Sequence, residues 1–398
     1  MLETLKFGEG NWANKTDSTL AYSDQYGNFQ AIPFDFTRAT TATRVNKAGL
    51  IESVNEGIAR IDYSDSTQGA LLLEPQRTNL VQYSNDYSGS SWVKQGFGTA
   101  SAPIVTSNFA TSPDGTQNAD RVIFNINGGI ISDDFSQINW VGAILNGDAS
   151  ASVYIKSNTN ESYVMSFCTP TGSARQITVT PNWQRFSTFT LGMSQGPTLR
   201  IRLRGGAEST SDYADISIYG AQVEQGSYAT SYIPTNGATA TRNQEICNNA
   251  TPEINSAEGV LFAEISALSN DGNDKYISLS DGSLSNYVYI RITGVLNQIK
   301  MGVIKGASTQ ASKDFIVSDL TQSNKLAVSY SQDLFKFYVN GTLIFTDTSG
   351  DTFSSSTLDR LNFDIGTSGF NKFLGKTSQV QVFNTALTDA QLQTLTTI

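Results

Sequence analysis

At 398 residues the chain is too long for one ordinary domain and suggests two or three, and its 39% hydrophobic and 10% aromatic content argues against wholesale disorder. A net charge of −10, with Lys and Arg scattered, argues against binding a phosphate backbone. The chain has no histidine at all, which excludes Ser-His and Cys-His nucleophile pairs, imidazole metal sites and a switch near neutral pH.

Only 16% of residues are charged, while Thr, Ser, Asn and Gly abound, a palette for strands and turns. Residues 1–87 form a small β-rich module of short apolar alternations. Asn46-Lys47-Ala48-Gly49 predicts a turn between strands at 42–45 and 50–54, with Gly49 supplying a positive φ. Ala70-Leu71-Leu72-Leu73 reads as a buried strand stopped by Pro75. The module is too interrupted for a core of its own and is expected to pack on a neighbour or a second subunit. Residues 88–243 read as one β-sandwich. Leu199-Arg200-Ile201-Arg202-Leu203-Arg204 alternates strictly, sending three arginines to one side and the aliphatic residues to a core. Polar residues around 243–256 lack periodicity and mark a domain boundary. Residues 244–398 read as a second sandwich, in which Asn340-Gly341 between alternating strands is a strong hairpin signal. One helix is expected at the C-terminus, capped by Thr388 with Ala390, Leu392 and Leu395 at helical spacing. The expected class is therefore all-β: tandem β-sandwich (jelly-roll) domains behind a small N-terminal module. Cys168 and Cys247 belong to no metal or redox pattern and are expected to be free, buried thiols.

No apolar run is long enough to cross a bilayer as a helix, and Met1-Leu2-Glu3-Thr4-Leu5-Lys6 lacks the layout of a secretory signal. A protein built for the outside yet made without a signal fits release by cell lysis.

Phe36-Thr37-Arg38-Ala39-Thr40, Ala42-Thr43-Arg44 and Leu73-Glu74-Pro75-Gln76-Arg77-Thr78-Asn79-Leu80 resemble an opening module of phage tail, fibre and head-fibre proteins. The run from Gly220 to Thr235, with Ser231-Tyr232-Ile233-Pro234 near its end, is similar to the close of the carbohydrate-binding-module-like jelly roll in those proteins. The 335–345 hairpin, Val380-Gln381-Val382-Phe383 and the 387–392 terminus look like a laminin-G-like, concanavalin-A-like domain. These resemblances imply a virion surface protein, other virion proteins as partners, self-association as a homotrimer, and host-surface or mucosal glycans as ligands. They imply neither nucleic-acid binding nor membrane insertion.

Sugar recognition calls for an exposed aromatic face flanked by amides or arginines. Trp140, beside Asn139, is the first candidate, with burial in the core the commoner fate of a tryptophan. Trp183 is expected in the core; Tyr163 and Tyr213 are further candidates. Arg200, Arg202 and Arg204 could hold an acidic glycan or a partner's carboxylates, or form a solvated face balanced by nearby acids. Laminin-G-like domains sometimes hold calcium, for which Asp271 and Asp274, or Asp347 and Asp351, offer oxygens, though ordinary Asx turns fit their spacing better. No cofactor is otherwise implied. Concanavalin-A-like hydrolases carry a Glu-x-Asp-x-x-Glu strand motif that this sequence lacks, so a binding protein is expected and no enzyme. A structural decoration protein or, as a lesser alternative, a glycan depolymerase with two facing acids remains open.

Overall fold

The computed structural model describes residues 3–25, 28–206, 208–367 and 370–398, with only the backbone for residues 15, 22–25 and 28–30. Nearly all of the regular structure is antiparallel strand, arranged as two sandwiches. No helix among the described residues is long and apolar enough to cross a membrane.

One sandwich draws on both ends of the chain. Its larger sheet runs in the order Ile246–Asn248, Asn28–Thr37, Ser18–Gln25, Leu5–Gly8, Gly375–Phe383, Gly259–Ala267, Asn324–Ser331, Leu334–Val339, Thr342–Asp347. Leu5 lies opposite Val382, and Leu73 of Ala70–Leu73 lies opposite Gly375. The facing sheet runs Ser308–Ile316, Gln298–Lys305, Tyr287–Ile292, Lys275–Ser280, Arg360–Asn362. Leu5, Phe7, Phe34 and Phe36 share its core with Val328, Val380, Ile290 and Met301. The N-terminal segment therefore is not a module standing apart. It cannot bury its own phenylalanines, so it widens the C-terminal sheet instead.

The single described helix, Asp389–Thr396, is capped by Thr388 in a reciprocal capping box with Gln391. Leu392 docks on Val260, Phe262, Ala327 and Tyr338, on the side of the sheet away from the main core. That second cover explains why Gly259–Ala267 is buried on both faces. Ala390, expected on the packed side, is exposed, and Thr396 is buried in its place.

The second sandwich is the jelly roll. One sheet runs Val93–Phe97, Phe135–Val141, Thr198–Arg204, Tyr163–Cys168, Gln176–Val179. The other runs Ser101–Thr111, Gln117–Asn125, Tyr213–Gln225, Leu145–Ser157, Gln184–Gln195. Its core holds Phe124, Ile138, Trp140, Ile155, Met165, Leu199, Ile201, Leu203 and Ile216. Both ends of this unit pass through one neck, the two-stranded ribbon of Arg77–Asn79 and Ala240–Arg242, where Asn79 lies opposite Ala240. The jelly roll is thus inserted into the other sandwich.

A buried ionic cluster lies beside the neck. Arg60 pairs with Glu74 at 2.8 Å and with Glu245 at 2.5 Å, Arg38 with Glu245 at 2.9 Å, and Arg242 with Glu74 at 2.8 Å. Burial alone would raise the Glu74 pKa, but Arg242 and Arg60, with hydrogen bonds from Ser231, hold it far below the usual carboxylate range. The segment expected to be a loose connector begins here. Glu245 is buried, Ile246–Asn248 pairs with Asn28–Thr37, and the Asn248 amide donates to Asp364 at 2.8 Å. Its lack of apolar period reflects side-chain hydrogen bonding, not freedom. Cys168 and Cys247 are free and buried.

Candidate functional site

Strand parity decides which of the sequence candidates enter the core. In Phe135–Val141, Ile138 and Trp140 enter the core, so Phe135, Gln137, Asn139 and Val141 point the other way. Trp140 is 4% exposed and Tyr163 is 5% exposed, each packed in the jelly-roll core. Neither can stack on a sugar. Tyr213 is exposed at the start of its strand, and Trp183, half-buried, donates from its indole nitrogen to the Thr111 carbonyl at 3.1 Å.

Asn139, Arg200, Arg202 and Arg204 do come together, on the outer face of the same sheet, where Asn139 and Arg202 are buried and Arg200 and Arg204 half-buried. Asn139 lies opposite Arg200, Gln137 opposite Arg202, and Phe135 opposite Arg204. One row crosses all five strands in register: Gln95, Gln137, Arg202, Ser166, Gln176. A second row is Val93, Asn139, Arg200, Cys168. Gln137 donates to Gln95 at 2.7 Å, and Arg200 Nε donates to Asn139 Oδ1 at 3.4 Å. Glu208 folds across the face, pairing with Arg202 and with Arg204 at 2.6 Å each, and Ser166 donates to it. Arg200 has no carboxylate within ion-pair distance among the described residues. At the sheet edge, Phe97 and Phe135 stack at 5.3 Å and 7°, with Phe97 62% exposed.

The face therefore combines amide and guanidinium donors, one uncompensated charge and an exposed aromatic plane. That set suits sugar hydroxyls and the apolar side of a pyranose ring. It does not suit proton transfer. Glu208 is committed to arginines, and burial, partly offset by Arg202 and Arg200, pushes the Cys168 thiol up, away from a reactive thiolate. Gln95, Gln137, Ser166, Glu208 and the Phe97–Phe135 pair were not singled out from sequence. Gln137 and Phe135 were accessible through parity with Asn139, whereas Glu208 and Phe97 reach the face by tertiary contact.

Calcium does not fit its candidate residues. Asp271 is held by Lys275 and Asp274 by Arg291, each at 2.5 Å, so separate cations draw the two carboxylates to different partners. Asp347 accepts from Ser349, and Asp351 pairs with Lys305 at 3.3 Å. No group of three or more acids or thiols able to hold a metal occurs among the described residues.

Residues 261–393 match the family model of the concanavalin A-like lectin/glucanases superfamily. That segment is a lectin-like sandwich, and it makes up about a third of the chain. No curated protein matches. Among solved structures, the chain is similar to the CBM40 of the Ruminococcus gnavus IT-sialidase bound to α2,3-sialyllactose, with 21% identity over 36% of this chain and 83% of that one, at a TM-score of 0.30. It is also similar to domains LG4-5 of the mouse laminin α1 chain, with 9% identity over 74% and 94% and a TM-score of 0.25. A third is domain 4 of AbnA, an arabinanase from Geobacillus stearothermophilus, with 11% identity over 82% and 99% and a TM-score of 0.22. Likeness of this degree says nothing about ligand or activity.

Proposed function

We propose that this chain is a non-catalytic glycan-binding protein displayed on a phage virion, where it adsorbs the particle to host-surface or mucosal glycans. The observation that carries the binding reading is Arg200, half-buried and without a carboxylate partner among the described residues, on the same face as the exposed Gln95 and the Phe97–Phe135 plane. So small an accessible set gives shallow, individually weak contacts, and repetition on a particle would raise them to useful avidity. The virion setting rests on the likeness of the Arg38, Glu74 and 220–235 segments to phage fibre and head-fibre proteins. A homotrimer and contacts with other virion proteins follow from the same likeness.

A purely structural decoration role is favoured by one observation. The residues that carry the phage likeness, Arg38, Glu74, Asn79 and Ser231, spend their hydrogen bonds within the neck. A glycan array probed with the multivalent protein separates the two roles. Binding that falls sharply in Arg200→Gln and Phe97→Ala supports adsorption through the sheet face. Silence across the array at high valency favours decoration, and shortened polysaccharide after incubation would make the protein a depolymerase.

A further inference from the structure

The two sandwiches face each other across a groove. Three hollows follow one another along it, of about 530, 450 and 640 Å3, and Thr321 borders all three. The first two also share Ala229 and Leu268, and the last two share Asp62, Asp65, Ser266 and Lys376. Each falls within the roughly 300–1,000 Å3 range of small-ligand sites. The series has room for an extended chain of several units.

One wall is the outer side of Gln184–Gln195, where alternation places Arg185, Ser187 and Phe189 together. The Arg185 guanidinium lies over the Tyr154 ring at 5.4 Å. Its Nη2 donates to Ser152 Oγ at 2.9 Å and to the Thr230 carbonyl at 2.7 Å, while its Nε is buried with no acceptor. The other charges lining the middle hollow are matched. Arg44 pairs with Glu52 at 2.7 Å, Lys376 with Asp62 at 3.2 Å and Asp65 at 2.5 Å, and Glu74 with Arg60 and Arg242. Arg185 alone among these cations has no carboxylate within ion-pair distance among the described residues. The contact with Tyr154 and the two hydrogen bonds from Nη2 hold the guanidinium in place, and a fixed, partly desolvated guanidinium is a receptor for a planar carboxylate. Away from Arg185 the walls offer Ser187, Ser227, Ser266, Asn270 and Thr321 for hydroxyls, with Phe189, half-exposed, for the apolar face of a ring.

We infer that the groove between the sandwiches holds an acidic oligosaccharide, its carboxylate on Arg185 and its neighbouring units running past Thr321. This rests on the glycan-binding reading and adds to it a second site, on the opposite sheet of the jelly roll, with a defined ligand class. The test is an immobilised panel of uronate- and sialate-containing oligosaccharides, each beside its carboxyl-reduced form, probed with the full chain. The parent protein should prefer the acidic forms by roughly tenfold, the weight of one charge-assisted pair. Arg185→Gln should abolish that preference. Thr321→Trp, at an exposed position that leaves Arg185 untouched, should block the groove and remove the preference for the acidic forms. Asp314→Ala, whose exposed pair with Lys300 lies outside both sites, should leave the preference in place. An acidic preference that survives both Arg185→Gln and Thr321→Trp, or is lost only in Arg200→Gln, overturns the groove site while the glycan reading stands. Equal binding of acidic and reduced forms also overturns it, and binding to no member of the panel sinks both.

Discussion

Glu245→Ala is the sharpest probe of what joins the two sandwiches. The Glu245 carboxylate is fully buried and accepts four hydrogen bonds: from Arg38 Nη1 at 2.9 Å, Arg60 Nε at 2.7 Å, Arg60 Nη2 at 2.5 Å and the Glu74 backbone N–H at 2.9 Å. After truncation Arg60 keeps Glu74, but Arg38 is left with the backbone carbonyls of Thr40, Val54, Asn55 and Ile58 and no carboxylate among the described residues. A buried guanidinium without a counter-charge costs about 3–5 kcal/mol. At roughly 2–4 °C per kcal/mol for a domain of this size, the melting point should fall on the order of 10 °C. Thermal and urea unfolding measure this, with Asp314→Ala as the control, because its pair with Lys300 at 3.5 Å is exposed and should barely matter. A Glu245→Ala protein that melts no lower than the control would refute the idea that the cluster locks the neck.

The same cluster sets an acid limit. Glu74, and Asp62 beside Lys376, titrate below their ordinary values in the folded chain. Their stabilisation is present above the unfolded carboxylate pKa values, about 4.5 for Glu74 and 3.8 for Asp62, and is lost as pH falls below them toward the depressed folded values, so urea midpoints should drop on acidification from pH 5 to 3. Thr388→Ala removes the helix cap and should cost about 1 kcal/mol in chemical denaturation. Gly341 turns the hairpin at a φ of +80°, and a Cβ there would stand 3.2 Å from Thr397 Oγ1. Gly341→Ala should therefore cost about 1–2 kcal/mol by the same assay. Finally, because Asn79 faces Ala240, replacing residues 80–239 with an Asn-Gly turn should close the neck into a hairpin. A β-type circular-dichroism spectrum with a cooperative melt is expected, and an unfolded product would count against the insertion.

Much of the fold was legible because strand signals are local. The 42–54 hairpin with its positive-φ Gly49, the alternating 199–204 strand, the 340–341 turn and the Thr388 cap all stand where short-range pattern places them. What pattern could not give was partnership. Nothing near Phe7, Phe34 or Phe36 says that their sheet lies more than 200 residues downstream, because the pairing depends on the core those rings need, not on adjacent residues. The site was half legible for a related reason. The period of two groups Asn139 with the arginine row, yet the same parity drives Trp140 into the core, and Asn139 is itself buried on the outer face. Alternation groups Arg185 with Ser187 and Phe189, but its isolation from carboxylates exists only once Tyr154, Thr230 and the facing sandwich surround it.

Insertion through a two-stranded neck also bears on how binding surfaces can be held. A sandwich hung from one linker can turn about it, and any groove against its neighbour opens and closes with that rotation. Here two chain crossings leave side by side, and residues distant in sequence clamp them. Arg38 and Arg60 come from the first segment, Glu74 from the way out, and Arg242 and Glu245 from the way back. Ser231, which donates to Glu74 and also lines the groove, carries that constraint from the clamp to the wall that presents Arg185. Loosening the clamp should therefore weaken the groove before it disturbs the outer sheet face that carries Arg200, whose row of side chains belongs entirely to the jelly roll. The two surfaces share one scaffold but depend on different parts of it, and a clamp mutant that lost both at once would mean the jelly roll does not hold its shape without the neck.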